Sequence, residues 1–203
     1  MNASQTRLAI LGTMSDLHRQ PIIYDLNCLQ KVVADLAPDL LCAEITQEAW
    51  ESADFSQTSL EVPEALAPTI ASMDIVLIPV APTPKQYEDF MPDSGWTRRI
   101  VRNFDRLLRW GQIQANDVRN INGFGFGTFC HTVCMLTEMF WTKKDRATWE
   151  QQNIQLAENI VRAVQRDRGR RVLVAVQCQR LHRLIPLLHA HNDLFKIVAY
   201  QNL

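Results

Sequence analysis

The stretch Arg171-Val172-Leu173-Val174-Ala175-Val176-Gln177 constrains this chain most. It is an apolar, β-branched run of strand length that breaks into the polar Cys178-Gln179-Arg180-Leu181-His182 and then resumes a helical period. Strands buried on both faces read this way, and they occur in parallel sheets covered by helices above and below. Such folds bind their ligands beyond the carboxyl ends of the strands, so the polar break after Val176 marks where a site is expected.

The rest of the chain supplies partners for that strand. Leu8 to Leu11, stopped by Gly12-Thr13, reads as strand one. Ile22, Leu26, Leu29, Val33 and Leu36 recur at helical steps and predict a helix ending before Pro38. Asp39 to Ile45 reads as strand two, with Glu44 at its far end. A buried strand rarely carries an idle carboxylate. Glu61 to Met73 reads as a helix broken by Pro63 and Pro68, followed by strand three over Asp74 to Val80, with Pro79 outside the ladder. A long loop through Asp93 follows, and loops of that length are more often functional than decorative.

Trp96 to Trp110 returns to helical order, ended by Gly111, with Arg98, Arg102, Arg106 and Arg109 along one face that reads as solvated. Gly123-Phe124-Gly125-Phe126-Gly127 reads as a flexible aromatic loop, a hinge or lid, and Thr128 to Trp141 as a largely buried helix on which His131, Cys134 and Glu138 share a stripe. Arg146 to Arg166 is a long helix leading to strand four, and a short helix from Leu181 and a last strand over Leu194 to Tyr200 complete the chain. The expectation is a single α/β domain over residues 1–203. Its mostly parallel central sheet has about five strands flanked by helices, with a helical insertion near residues 96–145 between strands three and four.

Composition adds limits rather than a function. A chain of 203 residues, 47% hydrophobic, has room for one sizeable core. A formal charge of −1 offers no global attraction to nucleic acid or anionic membrane, and no apolar run reaches the roughly 18–20 residues of a membrane span. The start of the chain passes through Arg7 straight into the first strand and lacks the apolar length of a secretory signal. Cys28, Cys42, Cys130, Cys134 and Cys178 form no CxxC pair and read as buried free thiols, which points to a cytoplasmic protein.

The expected strand ends bring together Thr13, Ser15, Asp16 and His18, then Glu44 and Glu48, then Lys85 and Glu88, and finally Gln177 to His182. Leu11-Gly12-Thr13 after strand one, Asp39-Leu40-Leu41-Cys42-Ala43-Glu44, and Asn153-x-x-x-Ala157-Glu158-Asn159-Ile160 before a Val-rich strand resemble the TraB/Tiki and erythromycin-esterase/haem-uptake superfamily. The resemblance covers about half of the chain and leaves the helical insertion unmatched. It implies a site built from a His soon after the first Gly-Thr, a Glu ending strand two and a Gly-x-x-His after the late strand, as in metal-dependent peptidases, esterases and haem-binding proteins.

Glu44 matches that pattern, whereas the first His falls on Ser15 and the late Gly-x-x-His on Gln177-Cys178-Gln179-Arg180. An arginine does not serve as a neutral metal ligand or as a base near neutral pH, but it binds carboxylates or phosphates bidentately. Three readings stay open. In a hydrolase, His18, Glu44 and His182 hold a divalent metal ion, Glu44 acts as ligand or general base on a peptide or ester, and Asp16 orients the ligands. Against it, His18 beside Arg19 and His182 beside Arg183 read equally well as solvated positions. In a non-catalytic pocket protein, Arg180 with Thr13, Ser15 and Gln177 binds a small anionic ligand. In an interaction module, the Phe140-Trp141 end of the insertion pairs with a second copy.

Overall fold

The computed structural model describes residues 5–92 and 95–203, so the loop expectation at Asp93 falls outside the described residues. Five strands form one parallel sheet: β1 (Thr6–Thr13), β2 (Leu40–Ala43), β3 (Val76–Pro79), β4 (Arg171–Gln177) and β5 (Phe195–Val198). Their order is β3-β2-β4-β1-β5, which places β4 at the centre. Side chains of β4 alternate between two apolar clusters. Leu173 and Ala175 join Leu29 and Val33 of α1 (Leu26–Leu36) on one face. Val172, Val174 and Val176 meet Leu156, Ile160 and Val164 of α7 (Lys143–Arg166) and Leu184 and Leu188 of α8 (Leu181–His189) on the other. A strand with no solvent face therefore holds the two helix layers together.

Several local expectations change once packing is included. Gly12-Thr13 does not stop β1 but pairs with Val176-Gln177 of β4. A Cβ on Gly12 would lie 2.9 Å from Leu181 Cδ1 and 3.2 Å from Cys178 Cβ, so the glycine is there for close approach rather than for a turn. Pro79 belongs to the ladder opposite Ala43, and the position of β3 at the sheet edge is what tolerates it. The segment after β2 holds the short α2 (Gln47–Ser52), capped by Thr46. The broken helix over residues 61–73 is a π turn at Val62–Leu66 running into α3 (Ala67–Ala71).

The insertion between β3 and β4 comprises α4 (Gly95–Ala115), α5 (Val118–Ile121) and α6 (Phe124–Glu138), and then leads into α7. Gly111 does not end α4. The ring of Phe129 on α6 occupies the space a Cβ would need, 2.2 Å from it, so the glycine lets two helices approach. The Gly-Phe-Gly-Phe-Gly segment is the start of α6 and not a loop, with Gly123 as its N-cap. Of the two rings in this segment only Phe126 packs on the core, beside Phe129, while Phe124 stays exposed. Nor is α6 largely buried, since Met135 is exposed, as is Met139 just beyond its end.

Asn122, which follows α5, accepts a hydrogen bond from the Gly12 N–H at 2.6 Å, and Gln112 of α4 donates to Cys178 Sγ at 3.2 Å. The insertion thus lies across the carboxyl ends of β1 and β4. All five cysteines are free. Among the described residues no helix is long and apolar enough to cross a membrane. Of the Phe140-Trp141 end expected to pair with a second copy, Trp141 is 5% exposed and packs on Tyr87, Phe90 and Trp149 in the core.

Candidate functional site

The chain leaves β2 toward β3 at one edge of the sheet and leaves β4 toward β5 at the other, so these adjacent strands form a switch point at their carboxyl ends. Glu44 and Arg180 fill it. Glu44 Oε2 accepts the Gln177 N–H at 2.8 Å, and Oε1 accepts Arg180 Nε at 2.5 Å. Arg180 also donates from Nη1 to Asn153 Oδ1 at 3.2 Å and from Nη2 to the Lys85 carbonyl at 3.4 Å, and its guanidinium lies 4.1 Å from the Trp149 ring centroid. The two side chains are 2% and 8% exposed. Glu44, Asn153 and Arg180, three positions quoted for the family resemblance, thereby meet at one point. Arg180 is held within the protein, with three of its five N–H groups donating to these partners and one face on an indole.

The Lys85 segment that Arg180 bonds also lines a cleft of about 600 Å3, together with Ser15, Asp16, Gln86, Glu88 and Arg109 among others. Gln177 connects the pair to this lining, its N–H bonding Glu44 and its side chain donating to Gln86 Oε1 at 2.9 Å. Arg109 leaves the expected solvated stripe to bind Asp16 at 2.9 Å and lies 3.4 Å from Asp105. Lys85 Nζ is 3.9 Å from both Asp145 Oδ1 and the centre of the Phe90 ring. The cleft therefore presents both signs of charge. Burial pushes the Glu88 carboxyl up from its usual range, against the pull of Arg109 and the Gln177 hydrogen bond.

Thr13 faces the interior rather than the cleft, and its hydroxyl donates to the Glu61 carboxylate. Glu61 is buried, one of its oxygens has no partner, and burial pushes its pKa up, with Glu44 adding to the rise. Sequence reasoning overlooked Glu61. Its only signal was a carboxylate standing between Leu60 and Val62 beside a proline.

The expected metal set does not assemble. His18 is 2% exposed, and Nδ1 donates to the Tyr24 carbonyl at 2.7 Å while Nε2 accepts the Met14 N–H at 3.0 Å. Neither nitrogen is left for a metal ion, and the ring pins the loop after β1. His182 lies on α8 with Nε2 3.3 Å from Glu138 Oε1 of α6 and its ring 5.0 Å from that of His131. Its side chain is 5% exposed, not solvated. Burial opposes ionisation of Glu138, but contacts to His182 and Arg183 hold the carboxyl below its usual range. Cys134 turns into the core beside Cys130. Among the described residues no group of three His, Cys, Asp or Glu side chains is placed to hold a metal ion.

Burial pushes the His18 pKa below 6.5, against the opposing pull of the Tyr24 carbonyl bond. The unfolded chain then takes up this proton first, so His18 supports folding above about pH 6.5 and that support drains away as pH falls through 6.5 toward the folded value. Urea unfolding at pH 7.5 and at pH 5.5, compared between the native chain and His18→Asn, is expected to show the smaller change in the variant. Equal changes would mean that the ring is not held neutral. Set beside known proteins, the chain matches no family model, no curated protein and no solved structure.

Proposed function

We propose that this chain is a non-catalytic pocket domain whose open cleft binds a small zwitterionic molecule of the amino-acid or short-peptide class. The observation that carries this reading is the buried Glu44–Arg180 pair. It occupies the place where the resemblance expects a carboxylate and a histidine around a reactive centre. An arginine there contributes neither a metal ligand nor a base, and it neutralises the one carboxylate that would. The mixed charges of the cleft favour a ligand with both a carboxylate, which Arg109 and Lys85 suit, and an ammonium, which Asp16 and Glu88 suit.

Two measurements test this. Protein purified without chelator is expected to contain far less than one equivalent of divalent metal, and stoichiometric metal lost in Glu44→Gln would overturn the reading. A thermal-shift panel of free amino acids and dipeptides is expected to give stabilising compounds whose effect disappears in Arg109→Ala. A panel without effect on the native chain would count equally against it.

One observation favours a second, hydrolytic reading. Glu88 lines the same cleft as Ser15, and burial raises the pKa of its carboxyl, a direction suited to a general acid. In that case dipeptide or ester hydrolysis would be detectable in the native chain and abolished by Glu88→Gln.

A further inference from the structure

One edge of α4 stays in water along its whole length. Trp96, Arg99, Asn103, Arg106 and Trp110 recur at steps of three, four, three and four, and all are exposed together with Leu107 beside them. Trp96 is 67% and Trp110 58% exposed, whereas Trp141 and Trp149 are packed in the core. The apolar surface continues onto the end of α6. The Trp96 ring lies 6.0 Å from that of Phe140, and Met139 next to Phe140 is exposed. Large apolar side chains gathered on one surface in this way mark a contact with another body.

Charge is concentrated on the same helix. α4 carries five arginines and one aspartate, in a chain whose formal charge is −1. That aspartate, Asp105, stands 3.4 Å from Arg109, which also binds Asp16. Among the described residues no ion pair involves Arg99, Arg102 or Arg106, and all three are exposed. The two indoles therefore border a row of cations without counter-charges. Each guanidinium sits on a flexible apolar stem, so it can reach an anion while the stem stays against an apolar surface.

We infer that this edge of α4 docks on an anionic lipid bilayer, with Trp96, Leu107 and Trp110 entering the headgroup region and Arg99, Arg102 and Arg106 pairing with lipid phosphates and carboxylates. Tryptophan suits that depth, because its body is apolar and its N–H is polar. Helices that lie flat in a membrane interface combine indoles with basic side chains in this manner. The cationic row disfavours a second copy as the occupant, since a two-fold contact of this edge with itself would bring two such rows together. The spacing disfavours single-stranded nucleic acid. Its bases stack on successive rings, but here the indoles are ~21 Å apart along the helix, with an aliphatic side chain between them. None of these residues lines the polar cleft, so the inference does not depend on the reading of that cleft.

The test sediments the full chain with vesicles of phosphatidylcholine alone and of phosphatidylcholine with about a quarter phosphatidylserine, at low salt. The chain is expected to pellet with the anionic vesicles, to stay in solution with the neutral ones, and to be released as salt screens the arginines. Arg99→Gln/Arg106→Gln is expected to weaken the partition about tenfold or more, because two cations are withdrawn from an anionic surface. Trp96→Gln/Trp110→Gln should weaken it by a similar factor, and both variants should keep a native circular dichroism spectrum because the altered side chains are exposed. Absence of pelleting with anionic vesicles, equal pelleting with neutral ones, or unaltered binding by either folded variant would each overturn the proposal. So would a dimer in size-exclusion chromatography, or binding of a single-stranded oligonucleotide, that Trp96→Gln/Trp110→Gln abolishes.

Discussion

Arg180→Leu is expected to destabilise the chain by about 3–5 kcal/mol, because it leaves the Glu44 carboxylate buried without its cation. With Glu44 8% exposed and Arg180 2% exposed, little water reaches either partner to soften the loss. The cost should exceed the net worth of the pair itself. Bringing two charges out of water consumes much of what their attraction returns, so the double variant Glu44→Leu/Arg180→Leu is expected to recover most of the loss. Urea denaturation of the native chain, both single variants and the double variant measures this directly. If Arg180→Leu costs less than about 1 kcal/mol, the value of an exposed pair, then Arg180 is accessible to solvent and its assignment as part of the frame fails.

Trp149→Ala should be comparably damaging, at about 3–5 kcal/mol. Trp149 is 1% exposed, and its ring lies 5.3 Å from Tyr87, 5.5 Å from Phe90 and 6.0 Å from Trp141. It also carries the Arg180 guanidinium on its face. Loss of the indole therefore opens a cavity and withdraws a support from the buried ion pair in one step. Trp149→Phe is expected to be milder, since the indole N–H makes no hydrogen bond that the change would break. Because the two residues touch, Trp149→Ala and Arg180→Leu should not add. The double variant should be less unstable than the sum by about 0.5–2 kcal/mol, in line with a desolvated cation–π contact. Strict additivity in thermal or urea unfolding would show that the stack contributes nothing.

The sheet was legible in the sequence because apolar runs bounded by polar residues are local signals. Leu8 to Leu11, Leu40 to Ala43 and Val172 to Val176 each lie in a strand. Glycine misled in three places, at Gly12, at Gly111 and at Gly123-Phe124-Gly125-Phe126-Gly127. There the sequence offers a residue without a side chain, and only the neighbour decides whether that absence makes a turn or a close approach. Phe129 against Gly111 is such a neighbour. Glu44, Asn153 and Arg180 could each be singled out along the chain, but not their mutual engagement, which joins residues more than a hundred positions apart between Glu44 and Arg180.

His18 and His182 mark the boundary between the two kinds of information. A histidine beside an arginine in a polar stretch carries no local sign of burial, yet one ring is locked between two backbone groups and the other stands buried against Glu138. By itself the sequence determined the class of fold and the central place of the Val172 to Val176 strand, since periodicity and β-branching act over a few residues. Tertiary structure alone decided which polar groups meet. A hydrogen bond or ion pair is set by directions and distances of a few ångströms, and sequence separation places no limit on them.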